Sequence, residues 1–346
     1  MGASSPDAQL IKDGRRETES CNGKLKARPS TWQREVLVCR TIALVGLSCA
    51  VLLRKDLDAI ITGVWAQLRA NRLFMHDSFE PLLSNASFYV YISVWMAVDH
   101  WVPWAWRYRI QDNTDMHRWY EGTRMRDQTL WYTLPLLALD WCFPRRRLPE
   151  EAPSAARMAL EVAAAIAAYD ALFFLWHVCA HKVPGLYRRF HAKHHGSAVQ
   201  RACEAVQHTA VDGTMNVLCS VAALNLLRCH PLSRAAYNMV IIFLITELHC
   251  GYDLPFQLHN LAPLGLLGGP PRHDHHHRSG HVYYQKFGTY LDNLFGFVPP
   301  AGGPRARRGG GGGPGWWWQG WQRPRWLRRT PLAGRCGRAF GASVRY

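Results

Sequence analysis

The sequence predicts an all-α integral membrane protein, a helical bundle with about four or more membrane helices and a cytosolic histidine-rich di-metal cap. Three observations predict it. Several apolar runs approach the length needed to cross a bilayer. Trp and Tyr gather near the end of one such run, as they do at a membrane interface, in a chain of 346 residues with 15 Trp. Three sets of histidines, drawn from 17 in the chain, repeat at the spacing of one helix turn.

Composition narrows the classes. The formal net charge is +16, and residues 301–346 hold ten Arg with no Asp or Glu, so about +10 of it sits in that tail. A basic total raises nucleic acid as a partner. A basic tail touching anionic headgroups accounts for this distribution better, so no nucleic-acid partner is expected. Mean hydropathy is −0.17 because polar and Gly-rich ends dilute an apolar middle. The ten cysteines include no CxxC pair, and several lie inside apolar runs, where a thiol acts as a small hydrophobe. That argues against a disulfide framework and a zinc finger.

In chain order, residues 1–35 are polar and mixed in charge; they are expected to be disordered and not a signal peptide. Residues 36–155 form an N-terminal membrane and interfacial region. Its first apolar run, 36–53, is shortened by Arg40 and closed by Arg54 and Lys55, so it reads as a short span or an interfacial helix. The second, 86–106, carries Asp99 and His100 near its end, which is read as an interfacial position. The third, 128–143, is broken by Pro135 and Asp140 and reads as a re-entrant or interfacial helix or as a span. The stretch 144–153 is a loop.

Residues 156–298 form the histidine-box domain. An Ala-rich run, 156–176, leads into His177 and His181, which share one helix face. Asp170 lies seven residues before His177 on that face, placed to accept an N–H from a ligand histidine. His191, His194 and His195 follow at i, i+3 and i+4, flanked by Lys182, Arg188, Arg189, Lys193 and Arg201, which mark a cytosolic side. The apolar runs 214–227 and 234–250, joined at Cys229-His230-Pro231, make a helical hairpin. A hairpin returns the chain to the face it left. It therefore brings His249, and then His273, His276 and His277, back beside the first two sets. The 263–271 link is rich in turn residues, and 289–297 is a short apolar segment able to pack beneath the site. Residues 299–346 are a Gly/Arg/Trp-rich, low-complexity tail expected to be disordered.

The candidate ligands are His177, His181, His191, His194, His195, His249, His273, His276 and His277. One ion takes about four to six ligands, so nine point to two ions. His208, His230, His259, His275 and His281 are set aside as ordinary hydrogen-bonded histidines. All-imidazole ligation suits Fe, Cu or Zn, and a histidine-rich pair of irons at a membrane face suits O2 activation and attack on an unactivated C–H bond.

The boxes HVCAH, HAKHH and HDHHH, with CHPLS, ELHCGYDLPFQLHNLAPLG and GGPPRHDHHH between and around them, resemble the membrane fatty-acid hydroxylase and sterol desaturase superfamily, and its cholesterol 25-hydroxylase branch in particular. The resemblance covers about residues 157–298. It implies that the nine histidines bind two iron ions; Asp170 and Asp253 are candidate supports behind them. It also implies O2-dependent hydroxylation of a sterol or related lipid in the endoplasmic reticulum membrane. Electrons would come from NAD(P)H through cytochrome b5 or a reductase, since the chain has no GxGxxG fingerprint. A sterol or fatty-acid desaturase and a C4-methylsterol oxidase share these boxes. A non-enzymatic metal-binding membrane protein is the alternative from another class. The chain departs from the family pattern at Val178-Cys179 and at Gly296-Phe297, and its tail has no counterpart there.

Overall fold

A computed structural model describes residues 25–112, 126, 129–143, 148–197 and 199–299. The tail segments 1–24 and 300–346 and the arginine stretch 144–147 of the expected loop lie outside the described residues. Among the described residues the secondary structure is helical, apart from isolated bridges such as Leu25–Gln111 and Leu267–Gly288.

Among the described residues, three helices are long and apolar enough to cross a membrane: α1 (Trp32–Leu52), α3 (Phe79–Trp101) and α5 (Ala155–Lys182). Much of α1 is unburied by protein, with Leu44, Val45 and Leu47 exposed, as suits a helix that faces lipid. Between α1 and α3 runs α2 (Arg54–Ala70). The 128–143 run becomes a π-helical turn, Thr129–Thr133, followed by α4 (Leu134–Cys142). Nine residues in α4 are too few for a crossing, which needs about 20.

The expected hairpin is present as α6 (Ala210–Leu226) and α7 (Pro231–Leu248). His230 explains its turn. The ring Nδ1 accepts the Leu232 N–H at 3.1 Å, and Pro231 occupies the first turn, where no N–H is needed. Phe88 and Ile92 of α3, Tyr169 and Phe173 of α5, Val217 and Leu224 of α6, and Tyr237 and Ile241 of α7 meet in one core. This four-helix contact fixes the end of α5 against the end of α7, where the histidines lie.

Two sequence expectations change. Residues 25–31, assigned to a disordered tail, run against the body: Lys26 N–H donates to the Ile110 carbonyl at 3.0 Å, and Arg28 pairs with Asp253 at 2.6 Å. Asp99, expected at an interface, is buried. Arg109 pairs with it at 2.6 Å and the Tyr252 hydroxyl donates to it at 2.7 Å, which offsets the cost of burying the charge.

Candidate metal centre

The cap is assembled from four pieces of chain. The end of α5 supplies His177 and His181. The chain then winds through a π-helical turn, Tyr187–His191, and a 3-10 turn, His194–Gly196. Thr209, which caps α6, also donates its hydroxyl to the Phe190 carbonyl at 2.8 Å and so ties this stretch to the hairpin. His249 caps the end of α7. Two residues on, Gly251 turns the chain at φ +77°, and a Cβ there would stand 2.5 Å from the Gln200 carbonyl oxygen. Only glycine fits that turn without strain. Finally α8 (Gly269–Ser279) carries His273, His276 and His277.

All nine expected histidines come together, in two groups. His177, His181, His191, His195 and His276 form one; His194, His249, His273 and His277 form the other. Within each group the candidate ligand atoms lie within 4.8 Å of one another. The sequence reading gave each box its own helix face. Instead, adjacent residues split: His194 and His195 go to different groups, as do His276 and His277. On a helical turn neighbours point about 100° apart, so one turn can serve two centres.

The hydrogen bonds show how the rings are held. Nδ1 of His177 donates to the Tyr284 carbonyl at 2.6 Å, and Nδ1 of His276 to the Val282 carbonyl at 2.7 Å. Nδ1 of His249 donates to the Ile245 carbonyl at 2.8 Å, and Nδ1 of His191 faces the Asp212 carboxylate at 3.0 Å. A neutral ring donating through Nδ1 leaves Nε2 as a bare lone pair. The Nε2 atoms of His177 and His191 are nonetheless 3.1 Å apart, a repulsive pairing unless a cation lies between them. In the second group His273 Nε2 is 2.9 Å from His249 Nε2 and 3.0 Å from His277 Nε2. Separations near 3 Å are those of adjacent nitrogens around an ion bound at about 2.0–2.1 Å. Nε2 of His181, His195 and His276 is buried without a hydrogen-bond partner. These residues fit a pair of metal ions.

Burial, together with the neighbouring rings, holds the His194, His195, His273 and His277 imidazoles well below their usual range. His276 is pushed down to about 3, chiefly by burial. Neutral imidazole is the ligating form, so the site is ready for metal at neutral pH.

The supporting residues differ from those expected. Asp170 touches no ligand histidine. Its carboxylate accepts from Gln285 Nε2 at 2.8 Å and from the backbone N–H groups of Phe287 at 2.9 Å and Gly288 at 2.8 Å. It anchors the 282–288 segment, whose carbonyls at Val282 and Tyr284 orient His276 and His177. Helical spacing put Asp170 on the right face, but the segment lies between it and the rings. Asp253 pairs with Arg28 and with His259 at 3.0 Å, away from both groups. The carboxylate that does reach a ligand is Asp212, in the first turn of α6. It also binds His208 at 2.8 Å and accepts from Trp176 Nε1 at 2.9 Å. Its only sequence signal was an acidic residue after the Thr209 cap.

Asp292, in α9 (Tyr290–Phe295), accepts the Tyr284 N–H at 2.9 Å and steadies the same segment. The short apolar stretch does pack there, with Phe295 and Phe297 against Phe174. His208, set aside from sequence, stacks on His194 at 4.4 Å, but both its nitrogens face acceptors, Asp212 and the Ala205 carbonyl. It braces a ligand and belongs to neither group.

A family model for fatty acid hydroxylases matches residues 162–297. The chain is similar to the cholesterol 25-hydroxylase of Homo sapiens, 30% identical over 250 residues, which is 70% of this chain and 91% of that protein. It is 39% identical over 167 residues to a cholesterol 25-hydroxylase-like protein of Danio rerio, covering 48% of this chain and 66% of that protein. The cholesterol 25-hydroxylase of Mus musculus is 28% identical over 255 residues, 71% of this chain and 85% of that protein. No solved structure matches the chain.

Proposed function

The chain belongs to the fatty acid hydroxylase family, and on that premise we propose that it is a membrane oxidoreductase that hydroxylates a sterol or related lipid with O2 and two iron ions. The observation that carries the proposal is the pair of abutting all-histidine groups, buried at the end of apolar helices. The reaction inserts one oxygen atom into a C–H bond and releases the other as water, consuming two electrons and two protons. With iron bound, the pair supplies the O2 activation that no side chain provides.

The protein's own residues do the rest. His177, His181, His191, His195 and His276 would hold one ion, and His194, His249, His273 and His277 the other. Asp212 and the carbonyls of Ile245, Val282 and Tyr284 hold four of these rings in one tautomer and orientation. The electron donor is NAD(P)H acting through cytochrome b5 or a reductase, and the location is the endoplasmic reticulum membrane. A membrane setting suits a substrate dissolved in lipid.

Lipid extracts from cells with and without the protein, compared with a His194→Ala variant, test the reading. The expected result is a sterol carrying one added oxygen, present only with the intact protein. Metal-loaded protein that leaves the sterol pool unchanged overturns it, and a product lacking two hydrogens identifies a desaturase instead.

A further inference from the structure

Beside the metal groups lies a cavity of about 360 Å3, within the ~300–1,000 Å3 range of small-molecule sites. Ala163, Ile166 and Ala167 of α5 form one wall, Leu244 and Leu248 of α7 another, and Phe287 closes the end. Leu258, Leu266 and Tyr290, each about half exposed, line its outer part, so its mouth is apolar. Asp170 also borders the cavity. His177 stands seven residues further along the same helix face, roughly 10 Å along the axis. Asp170 and Phe287 set the inner end of the cavity against the 282–288 segment, whose Val282 and Tyr284 carbonyls orient His276 and His177.

Two polar groups of this wall, the Glu247 carboxyl and Nδ1 of His259, have no hydrogen-bond partner among the described residues. Glu247 borders the cavity and is only 7% exposed. Asp170 is satisfied by Gln285, Phe287 and Gly288. No described residue hydrogen-bonds or pairs with the Glu247 carboxyl. Buried polar groups are nearly always hydrogen-bonded, so a lone one facing an apolar chamber is a receptor for a ligand group. Two positions before His249, it points about 200° round α7 from that ligand and is not part of the metal centre.

We propose that this cavity takes a hydroxyl-bearing sterol or similar lipid, and that Glu247 hydrogen-bonds the hydroxyl of that otherwise apolar ligand. The proposal rests on the reading of the protein as a lipid hydroxylase and specifies how its substrate is recognised. A hydroxyl both donates and accepts, so it suits a carboxyl in either protonation state. The apolar mouth admits the hydrocarbon body from the bilayer, and the contact with Glu247, beside the His259 ring, sets register in a chamber walled mostly by hydrocarbon. Glu247 is thus a specificity-determining residue.

The test uses full-length metal-loaded protein in nanodiscs and two probes, cholesterol and its 3-deoxy counterpart, cholest-5-ene. Binding is measured directly, apart from turnover. Wild-type protein should prefer cholesterol by at least about tenfold, the worth of one hydrogen bond to a buried partner. Glu247→Leu should abolish the preference while leaving metal content unchanged. Glu247→Gln, which still donates and accepts, should keep part of it. Equal binding of the two probes by wild type, binding of neither, or a preference that survives in Glu247→Leu overturns the proposal. If Glu247→Leu does not fold, the wild-type comparison and Glu247→Gln still decide. Loss of the functional reading looks different: cholesterol binds with the expected preference, yet metal-loaded protein supplied with reductant adds no oxygen to it.

Discussion

The rings of His195 and His277 stack with centroids 4.4 Å apart and planes 24° apart, although they serve different groups of ligands. The two centres are therefore not separate modules. They share turns of chain at 194–195 and at 276–277, and a disturbance of one turn reaches both. Each group nonetheless keeps its own set of histidines, five in one and four in the other.

The first prediction follows from that count. His194→Ala removes one of four ligands and leaves the five-histidine group intact. Metal content should fall from about two ions per chain toward one, with activity down by about 100-fold or more. Elemental analysis of purified protein checks it. A His194→Ala protein with two tightly held ions and normal turnover would sink the two-centre assignment.

The second concerns the indirect support. Asp170→Asn replaces one of the two accepting oxygens with an N–H group, which then faces either the Phe287 amide or the Gly288 amide and Gln285 side chain. The segment holding the Val282 and Tyr284 carbonyls should loosen, lowering metal affinity by about 10- to 100-fold and stability by about 1–3 kcal/mol. Asp253→Asn, which alters the Arg28, His259 and Asn260 contacts away from both histidine groups, should leave metal affinity unchanged. Metal titrations of the two variants side by side separate a general destabilisation from a loss specific to the histidines.

Much of the centre was legible in the sequence because helix spacing is local. His177 and His181, and then His273 and His277, sit four apart and share a face whatever surrounds them. The partition into two groups was not legible. It depends on whether a turn winds as α, π or 3-10, and the Tyr187–Gly196 stretch uses the last two. Backbone acceptors were invisible for a related reason: Val282 and Tyr284 act through carbonyls, which every residue has. Tyr283, between them, holds a left-handed φ of +61° that no residue type announces. Glu247 carries no local signal either: its enclosure comes from α5 and the 258–269 and 287–290 stretches brought around the end of α7.

Third, Gly251→Ala should be far worse than Gly280→Ala. Both glycines have positive φ, +77° and +66°, so each substitution carries about 1 kcal/mol of backbone strain. At 280 a Cβ meets nothing within 4 Å, whereas at 251 it meets the Gln200 carbonyl at 2.5 Å. The carbonyl must move, and with it the turn that follows His249. A loss of roughly 2–4 kcal/mol and weakened binding at the four-histidine group are expected for Gly251→Ala alone. Thermal unfolding of the two variants gives the comparison.

Fourth, the metal-free protein should lose stability on the acid side. His194, His195, His273 and His277 are held well below 6.5 in the fold, by burial and then by one another, and His276 lies at about 3. Unfolded, the same rings take up protons near 6.5. Below that pH the unfolded state binds more protons, so stability is full above about 6.5 and falls as pH drops from there toward the folded values. Bound metal should deepen the dependence, because protons compete for the same lone pairs. Denaturation midpoints between pH 8 and pH 5, with and without metal, check the sign; a midpoint that is flat across the range in the apoprotein would contradict it.

The last prediction is topological. The 187–196 stretch and α8 both place histidines in each of the two groups, so no membrane can run between them. Lys182, Arg188, Arg189 and Lys193 flank the first stretch and Arg278 the second, and basic flanks favour the cytosolic side. Gly185 and Gly280 offer sites for reporters, since a Cβ at either meets nothing within 4 Å, at the cost of the positive-φ strain already noted at Gly280. Glycosylation acceptors introduced at these two points should both stay unmodified in microsomes, while a tag at either should be cleaved by added protease. Modification of one and not the other is incompatible with a shared centre. Modification of both would preserve the centre but reverse its orientation, moving it away from a cytosolic electron donor and overturning that part of the proposed function.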